Sequence, residues 1–207
     1  MKAVKNKIGK YLLHLPENYE YSKNKWPLML FLHGAGECGD NLEIVKKKGP
    51  TMLANKGKEF PFLLLSPQCP VKQYWENDFL DKLLTDIIRQ YRVDPNKIYL
   101  TGFSMGGFGT WNLAKKYPNR FAAIAPVCGG ANPHIAEYIK HIPTWIFHGA
   151  KDRIIPVERS QEMASALKKL GAKVKFTVYP FTEHDSWTET YNNEELYEWF
   201  IEQKRAD

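Results

Sequence analysis

The chain has 207 residues, a hydrophobic fraction of 43% and a formal net charge of +6. This length suits one domain with a large buried core, and no apolar run approaches the roughly 20 residues that a membrane helix needs. The lysines are scattered, with short clusters such as those at residues 46–48 and 168–169, and no aromatic-basic RNA motif accompanies them. We therefore expect a solvated lysine-rich surface, with no nucleic-acid partner and no membrane partner.

The N-terminus and the cysteines bear on the cellular compartment. The basic residues 1–10 are not followed by the apolar core of a signal peptide. This favours a cytoplasmic protein as the sequence stands, or a secreted one if a signal peptide was removed. Cys38, Cys69 and Cys128 are too few for a disulfide framework. Free thiols are expected, and one bridge between Cys38 and Cys69 stays open.

Strand-like and helix-like segments alternate along the chain. Apolar runs predict strands at residues 9–15, 27–33, 62–67, 97–101, 122–127, 144–148 and 173–179. Helical spacing predicts helices at residues 78–91, 105–117, 157–170 and 192–205. This alternation predicts an α/β fold, a mostly parallel sheet with helices on both faces. Because only residues 128–143 separate two of the strands, we expect one domain over residues 1–207 without a large cap.

The sequence Gly102-Phe103-Ser104-Met105-Gly106 follows the fourth predicted strand and opens a helix. A nucleophile elbow needs this strand–turn–helix context, which lifts the serine Oγ clear of the sheet. The flanking glycines leave room for close approach of strand and helix. The helix N-terminus then offers free N–H groups toward a developing anion. We predict Ser104 as a nucleophile, and the alternative is a glycine-rich turn with an incidental serine.

A serine nucleophile needs a base, and the base needs an orienting acid. Asp152 lies in a loop after a predicted strand, where an N-cap or Asx turn is its alternative role. His184 is the only histidine after His148, and a surface-loop histidine is the alternative. Asp185 is a second candidate acid. The chain order Ser104, Asp152, His184 is the order that hydrolases use.

The glycine-rich loop at residues 33–37 also follows a predicted strand. Acyl transfer needs backbone N–H donors aimed at the carbonyl oxygen as it gains charge. One donor is expected from the residue after the nucleophile, Met105, and the other from this earlier loop. We predict Ala35 and Met105 as the oxyanion hole, and a plain turn is the alternative for the loop.

Other residues suggest weaker roles. Neither H-x-x-x-H nor H-E-x-x-H spacing occurs, so we expect no metal and no cofactor. His148 is interpreted as a structural residue at a strand end. Trp75 and Trp187 are candidates for walls of the substrate pocket, and buried core aromatics are the equally weighted alternative.

Five segments resemble one group of enzymes: Leu32-His33-Gly34-Ala35-Gly36-Glu37, Asp40-Asn41, Ser66-Pro67-Gln68, Gly102-Phe103-Ser104-Met105-Gly106-Gly107 and His184-Asp185-Ser186-Trp187. Together they resemble the predicted-peptidase, or phospholipase/carboxylesterase-like, branch of the α/β-hydrolases. That branch includes esterases similar to feruloyl and acetyl esterases, and polyhydroxyalkanoate depolymerases. The resemblance covers nearly the whole chain and implies the α/β-hydrolase fold.

The resemblance implies a serine esterase with the triad Ser104, Asp152 and His184. Loops of this branch commonly read Gly-Glu-Arg-Gly-Asp, whereas Cys38 stands at the place of that arginine, so loss of an ionic or stacking contact is expected. Dienelactone hydrolases, also similar in fold, use cysteine at the elbow, and Ser104 argues against that chemistry.

The resemblance leaves the substrate broad. It implies a small or carbohydrate-linked ester with a short acyl or feruloyl group, cleaved through an acyl-enzyme. Two alternatives stay open: a serine peptidase, and a catalytically inactive binding module on a hydrolase scaffold. The oligomeric state is not indicated.

Overall fold

An eight-stranded sheet forms the centre of the computed structural model, which describes residues 1–5 and 9–205. Its strand order is β1-β2-β4-β3-β5-β6-β7-β8. Strands β3 to β8 are parallel, and β1 and β2 run antiparallel at one edge. The strands are β1 (Lys2–Lys5), β2 (Lys10–His14), β3 (Trp26–Leu32), β4 (Leu63–Pro67), β5 (Val93–Phe103), β6 (Ala123–Val127), β7 (Thr144–Gly149) and β8 (Val174–Tyr179).

Helices cover both faces of this sheet. They are α1 (Gly49–Asn55), α2 (Asn77–Gln90), α3 (Met105–Lys116), α4 (Ala136–Ile139), α5 (Glu158–Lys169), α6 (Ser186–Asn192) and α7 (Glu194–Glu202). The core has two main layers. One contains buried residues of α2, α3, α4 and α5, and the other contains those of α1, α6 and α7. Strand β3 serves both layers, because Leu28, Leu30 and Leu32 face one and Met29 and Phe31 face the other. A continuous apolar run is the sequence signature of such a strand.

The predicted α/β-hydrolase fold is confirmed, with differences at several elements. The helix predicted at residues 192–205 is shorter in the structure, where α7 spans Glu194–Glu202 and a separate helix, α6, ends at Asn192. The Asn193 side chain accepts a hydrogen bond from the Glu195 N–H, which caps α7 and explains the break. Strand β5 extends beyond the predicted residues 97–101 at both ends, and β1, α1, α4 and α6 were not predicted.

The parallel strands place the candidate site residues at the carboxyl end of the sheet. Ser104 follows β5, Asp152 follows β7 and His184 follows β8. The loop that carries Ala35 follows β3. Ligands of open α/β sheets bind at the carboxyl ends of the strands, which is where these four residues lie.

The connection between β6 and β7, close to these residues, is short. Between β6 and β7, residues 128–143 carry only a 3₁₀ turn, Pro133–Ile135, and the short α4. No large insertion follows β6.

In the described part of the chain, no helix has both the length and the apolar character needed to cross a bilayer.

Candidate active site

Ser104 lies at the sharp turn between β5 and α3. Its φ of 54° and ψ of −117° fall in a region that residues other than glycine rarely occupy, at a cost of about 1–3 kcal/mol. The Ser104 N–H donates to the Val127 carbonyl at 3.0 Å, and the Ser104 carbonyl accepts from the Phe108 N–H at 3.1 Å. These hydrogen bonds hold the strained turn, so the hydroxyl is presented at the N-terminus of α3.

Gly102 and Gly106 are required by the close packing around this turn. A Cβ on Gly106 would lie 2.0 Å from the Leu32 carbonyl oxygen, and one on Gly102 would lie 2.5 Å from the Gly106 carbonyl oxygen. Both distances are far inside van der Waals contact. Any side chain at either position would therefore push α3 away from the sheet and displace Ser104.

Ser104, His184 and Asp152 form a continuous hydrogen-bonded row. His184 Nε2 lies 3.0 Å from Ser104 Oγ, and His184 Nδ1 lies 2.7 Å from Asp152 Oδ2. Because a carboxylate only accepts, Nδ1 carries the ring proton and Nε2 faces the serine hydroxyl as an acceptor. The structure thus brings together the three residues that the sequence predicts as catalytic.

Asp152 is held by four groups. Its Oδ1 accepts hydrogen bonds from the N–H groups of Ile154 and Ile155, each at 2.9 Å, so the Asx-turn role coexists with the contact to His184. Its Oδ2 lies 2.7 Å from His184 Nδ1 and 3.2 Å from His148 Nε2. Burial tends to raise the pKa of Asp152, but the hydrogen bonds from His184, Ile155 and Ile154 outweigh it and hold the pKa below its usual range. The carboxylate is therefore ionised at neutral pH.

His148 is a buried neighbour of Asp152 that the sequence did not assign to the site. Its Nε2 lies 2.8 Å from the Ile155 carbonyl oxygen, and its Nδ1 lies 2.7 Å from Ser160 Oγ. A carbonyl oxygen only accepts, so Nε2 carries the proton that also faces Asp152. Burial lowers the pKa of His148, which favours the neutral ring, and Ser160 Oγ lies between His148 Nδ1 and the Gly129 carbonyl, to which it donates at 3.0 Å.

Ala35 and Met105 are the predicted oxyanion donors. Ala35 opens a 3₁₀ turn after β3, and Met105 is the first residue of α3. Neither backbone N–H has a hydrogen-bond acceptor within residues 1–5 and 9–205. Two donors are therefore available, one of them at the positive end of the α3 dipole.

His33 and Trp75 fix the loop that carries Ala35. His33 Nδ1 lies 2.6 Å from the Gly34 carbonyl oxygen, and its Nε2 accepts from the Cys69 N–H at 3.0 Å. Trp75 Nε1 donates to the His33 carbonyl at 3.1 Å, and the two rings meet edge to face with centroids 4.7 Å apart. Burial lowers the pKa of His33 to about 4. Trp75 is only 8% exposed, so it supports the loop from behind as a mostly buried aromatic.

Trp187 packs against the predicted base. Its ring centroid lies 5.3 Å from that of His184 and 4.5 Å from that of Phe103. Trp187 is half-buried, so part of its ring borders solvent beside His184. Of the two tryptophans singled out from the sequence, Trp187 is the one in contact with a residue of the predicted triad.

Glu37 and Lys48 form an ionic contact near Trp187. The buried Glu37 carboxylate lies 3.1 Å from Lys48 Nζ, and this ammonium group lies 5.1 Å from the Trp187 ring centroid. Lys48 therefore supplies a cation in this region, and the expected loss of an ionic or stacking contact at Cys38 stays a prediction. No sequence pattern indicated this contact, because Lys48 belongs to a cluster interpreted as solvated surface.

Cys38, Cys69 and Cys128 are free thiols in this structure. The bridge between Cys38 and Cys69 that the sequence left open is not formed. Among the residues that the structure describes, no group of three His, Cys, Asp or Glu side chains is arranged to hold a metal ion.

Comparison with known proteins assigns this chain to a family. A family model described as "Dienelactone hydrolase family" matches residues 70–200, which is well over half of the chain and includes Ser104, Asp152 and His184. The chain belongs to the dienelactone hydrolase family. The resemblance to α/β-hydrolases is confirmed, and this family member carries Ser104 at the elbow, where dienelactone hydrolases use cysteine.

Curated relatives of this family member include named esterases. Feruloyl esterase D of Neurospora crassa is 24% identical over 184 residues, covering 77% of this chain and 59% of that protein. The bifunctional acetylxylan esterase/xylanase XynS20E of Neocallimastix patriciarum is 26% identical over 137 residues, covering 62% of this chain and 20% of that protein. The chain thus spans between a fifth and three fifths of the length of these two relatives.

Solved structures support the fold of this family member. A thermostable esterase superposes with a TM-score of 0.82 and 33% identity, covering 99% of this chain and 62% of that one. A ferulic acid esterase superposes with a TM-score of 0.73 and 19% identity, covering 96% of this chain and 94% of that one. The second likeness bears on the fold alone.

Proposed function

We propose that this protein is a carboxylic ester hydrolase that acts through Ser104, His184 and Asp152. The observation that carries the proposal is the row of hydrogen bonds from Ser104 Oγ through His184 to an ionised Asp152, at 3.0 and 2.7 Å. A serine hydroxyl is a weak nucleophile until a base accepts its proton. This row supplies a base in the correct tautomer, at the carboxyl end of the sheet, where ligands of such sheets bind.

The proposed reaction has two steps. His184 Nε2 takes the proton of Ser104 as Oγ attacks the ester carbonyl, and the N–H groups of Ala35 and Met105 donate to the oxygen as it gains charge. The imidazolium, stabilised by Asp152, then protonates the leaving alcohol. Water attacks the acyl-enzyme by the same route, and His184 again moves the proton.

The proposed substrates are small or carbohydrate-linked esters with a short acyl or feruloyl group. The named activities of the Neurospora crassa and Neocallimastix patriciarum relatives support this class. The short segment 128–143 also supports it, because the absence of a large insertion after β6 leaves room for a bulky alcohol. A panel of acetyl, butyryl, octanoyl and feruloyl esters would rank the acyl groups.

Ser104→Ala tests the chemistry directly. We expect kcat for p-nitrophenyl acetate to fall by about 10⁶, by analogy with serine protease triads, and labelling by a fluorophosphonate probe to be lost. Ser165→Ala is the matched control, because Ser165 is an exposed serine on α5, and it should be labelled like the wild type. Near-native hydrolysis by Ser104→Ala would contradict the proposal, and a wild type that neither hydrolyses esters nor reacts with the probe would favour an inactive binding module.

Peptidase activity is a second candidate. The acylamino-acid-releasing enzyme of Arabidopsis thaliana is 29% identical over 132 residues, covering 44% of this chain and 17% of that protein. The same acyl-enzyme chemistry cleaves an activated amide. Comparison of N-acetylalanine p-nitroanilide with p-nitrophenyl acetate separates the two, and we expect kcat/KM to be higher for the ester.

A further inference from the structure

A cavity of about 470 Å³ lies beside the loop that carries Ala35. It opens at the same end of the sheet as Ser104, because its lining residues follow β3 and β4, surround the start of α2, or lie at the start of the antiparallel β2. Trp75 joins the two sites, since it lines the cavity and its Nε1 donates to the His33 carbonyl at 3.1 Å. The principal lining residues are Asp40, Gln68, Gln73, Tyr74, Trp75 and Phe79.

The aromatic side chains of this cavity suit a ligand with flat apolar faces. Tyr74 is 83% exposed, although it is a large aromatic residue at the border of a cavity. Trp75 and Phe79 add apolar surface to the lining. An exposed aromatic ring offers a stacking surface, and the C–H faces of a sugar ring are well matched to it.

Gln68 adds a polar group without a partner. Its Nε2 donates to the carbonyls of Glu37 and Asn41, each at 3.0 Å. Its Oε1 is buried and has no hydrogen-bond partner among the residues that the structure describes. Buried acceptors are normally paired, so a hydroxyl group of a ligand in the cavity would complete the hydrogen bonding of Gln68.

The charges of the lining disfavour an anionic ligand. Asp40 and Glu76 contribute carboxylates, and the Glu76 carboxylate already accepts from the N–H groups of Asp78 and Phe79. Lys10 is the cation among the lining residues, and its Nζ donates to the Asp40 carbonyl at 3.1 Å. A phosphate or sulfate group would therefore meet two carboxylates and one engaged lysine. A neutral ligand rich in hydroxyl groups fits this lining better.

We propose that this cavity binds a sugar residue of a carbohydrate-linked ester. Tyr74 stacks against the apolar face of the sugar ring, and Gln68 Oε1 accepts a hydrogen bond from a sugar hydroxyl. The proposal rests on the proposed ester hydrolase function and names the carbohydrate side of its substrate.

Binding of xylotetraose tests the sugar site without catalysis, because this probe carries no ester. We expect the wild-type protein to bind it in an isothermal or NMR titration, and Tyr74→Ala to raise Kd about two- to tenfold, the usual weight of an aromatic contact. Tyr21→Ala is the matched control, because Tyr21 is 90% exposed and lies in the loop before β3, at the opposite edge of the sheet. Absence of binding at millimolar xylotetraose, or an unchanged Kd in Tyr74→Ala, overturns the proposal.

Hydrolysis of two esters with the same acyl group locates the sugar relative to Tyr74. We expect Tyr74→Ala to lower kcat/KM for a feruloylated xylo-oligosaccharide about two- to tenfold more than for methyl ferulate. An equal fall for both esters would place the acyl group in the cavity and overturn the proposal. If xylotetraose binds through Tyr74 while Ser104 fails to react with a fluorophosphonate, the hydrolase function fails and the sugar site stands.

Discussion

His184 and His148 both approach Oδ2 of Asp152, at 2.7 and 3.2 Å, yet their surroundings differ. The second ring nitrogen of His184 faces Ser104 Oγ at 3.0 Å, and its side chain is 17% exposed. The second ring nitrogen of His148 is engaged with Ser160 Oγ at 2.7 Å, and its side chain is fully buried. Contact with the carboxylate is thus common to both rings, whereas of the two only His184 also reaches Ser104, the proposed nucleophile.

This difference separates a proposed base from a proposed positioning residue. A base must accept a proton and release it, which requires a free nitrogen and room for an imidazolium. His148 instead connects β7 to the Ile155 carbonyl and to Asp152. We infer that it fixes the carboxylate, while His184 moves the proton.

His184→Ala should show the largest effect. Without the base, kcat for p-nitrophenyl acetate is expected to fall by about 10⁶, by analogy with serine protease triads, with the fold preserved in circular dichroism. The control is His141→Ala, an exposed histidine outside the site, which should keep wild-type activity. Comparable losses in the two variants would mean that the fold, and not the base, had been damaged.

Asp152→Asn tests the shared carboxylate. An amide would donate to His184 Nδ1 and leave the proton on Nε2, which faces Ser104, so kcat should fall by about 10⁴ by the same analogy. Asp185→Asn is the comparison, since Asp185 was the alternative acid and its side chain accepts from the Thr188 N–H at 3.1 Å. Steady-state kinetics that showed the greater loss in Asp185→Asn would reassign the acid.

His148→Leu tests whether His148 positions the Asp152 carboxylate. The change removes the Nε2–H donor to Asp152 but leaves His184 in place, so kcat is expected to fall about 10- to 100-fold from misplacement alone. Because His148 does not contact substrate in this scheme, KM should stay close to the wild-type value. His148→Gln should recover part of kcat by restoring an N–H donor. A loss equal to that of His184→Ala would remove the distinction between the two histidines.

The strands that could be predicted are those whose own sequence is an apolar run. The central strands are continuous apolar runs because both of their faces are buried, as in β3. Strand β1, Lys2–Lys5, has no such run, and its structure comes from pairing with β2. The break between α6 and α7 depends on one cap at Asn193, which the apolar spacing of this region does not reveal.

The candidate site was predictable to the extent that chain order and strand ends define it. Ser104, Asp152 and His184 each follow a strand, and their order narrowed the choice. His148 and Lys48 could not be found in this way. Their roles depend on contacts between segments, with Asp152 in one case and with the buried Glu37 in the other.

His33 extends the comparison to a third histidine, whose partners are backbone groups and whose effect should be on stability. One of its hydrogen bonds requires the neutral ring, because Nε2 accepts from the Cys69 N–H. Its pKa is lowered from 6.5 to about 4, so the unfolded chain binds a proton between these values while the folded protein does not. The free energy of unfolding should therefore fall by up to about 3 kcal/mol as pH drops from about 6.5 to 4. The free energy of unfolding is measured by urea unfolding at several pH values. It should change less with pH in His33→Gln than in the wild type, and as in the wild type in the exposed control His141→Gln. An equal pH dependence of the unfolding free energy in the wild type and His33→Gln would show that protonation of His33 does not limit stability. The loop of Ala35 would then be fixed by Trp75 and the backbone alone.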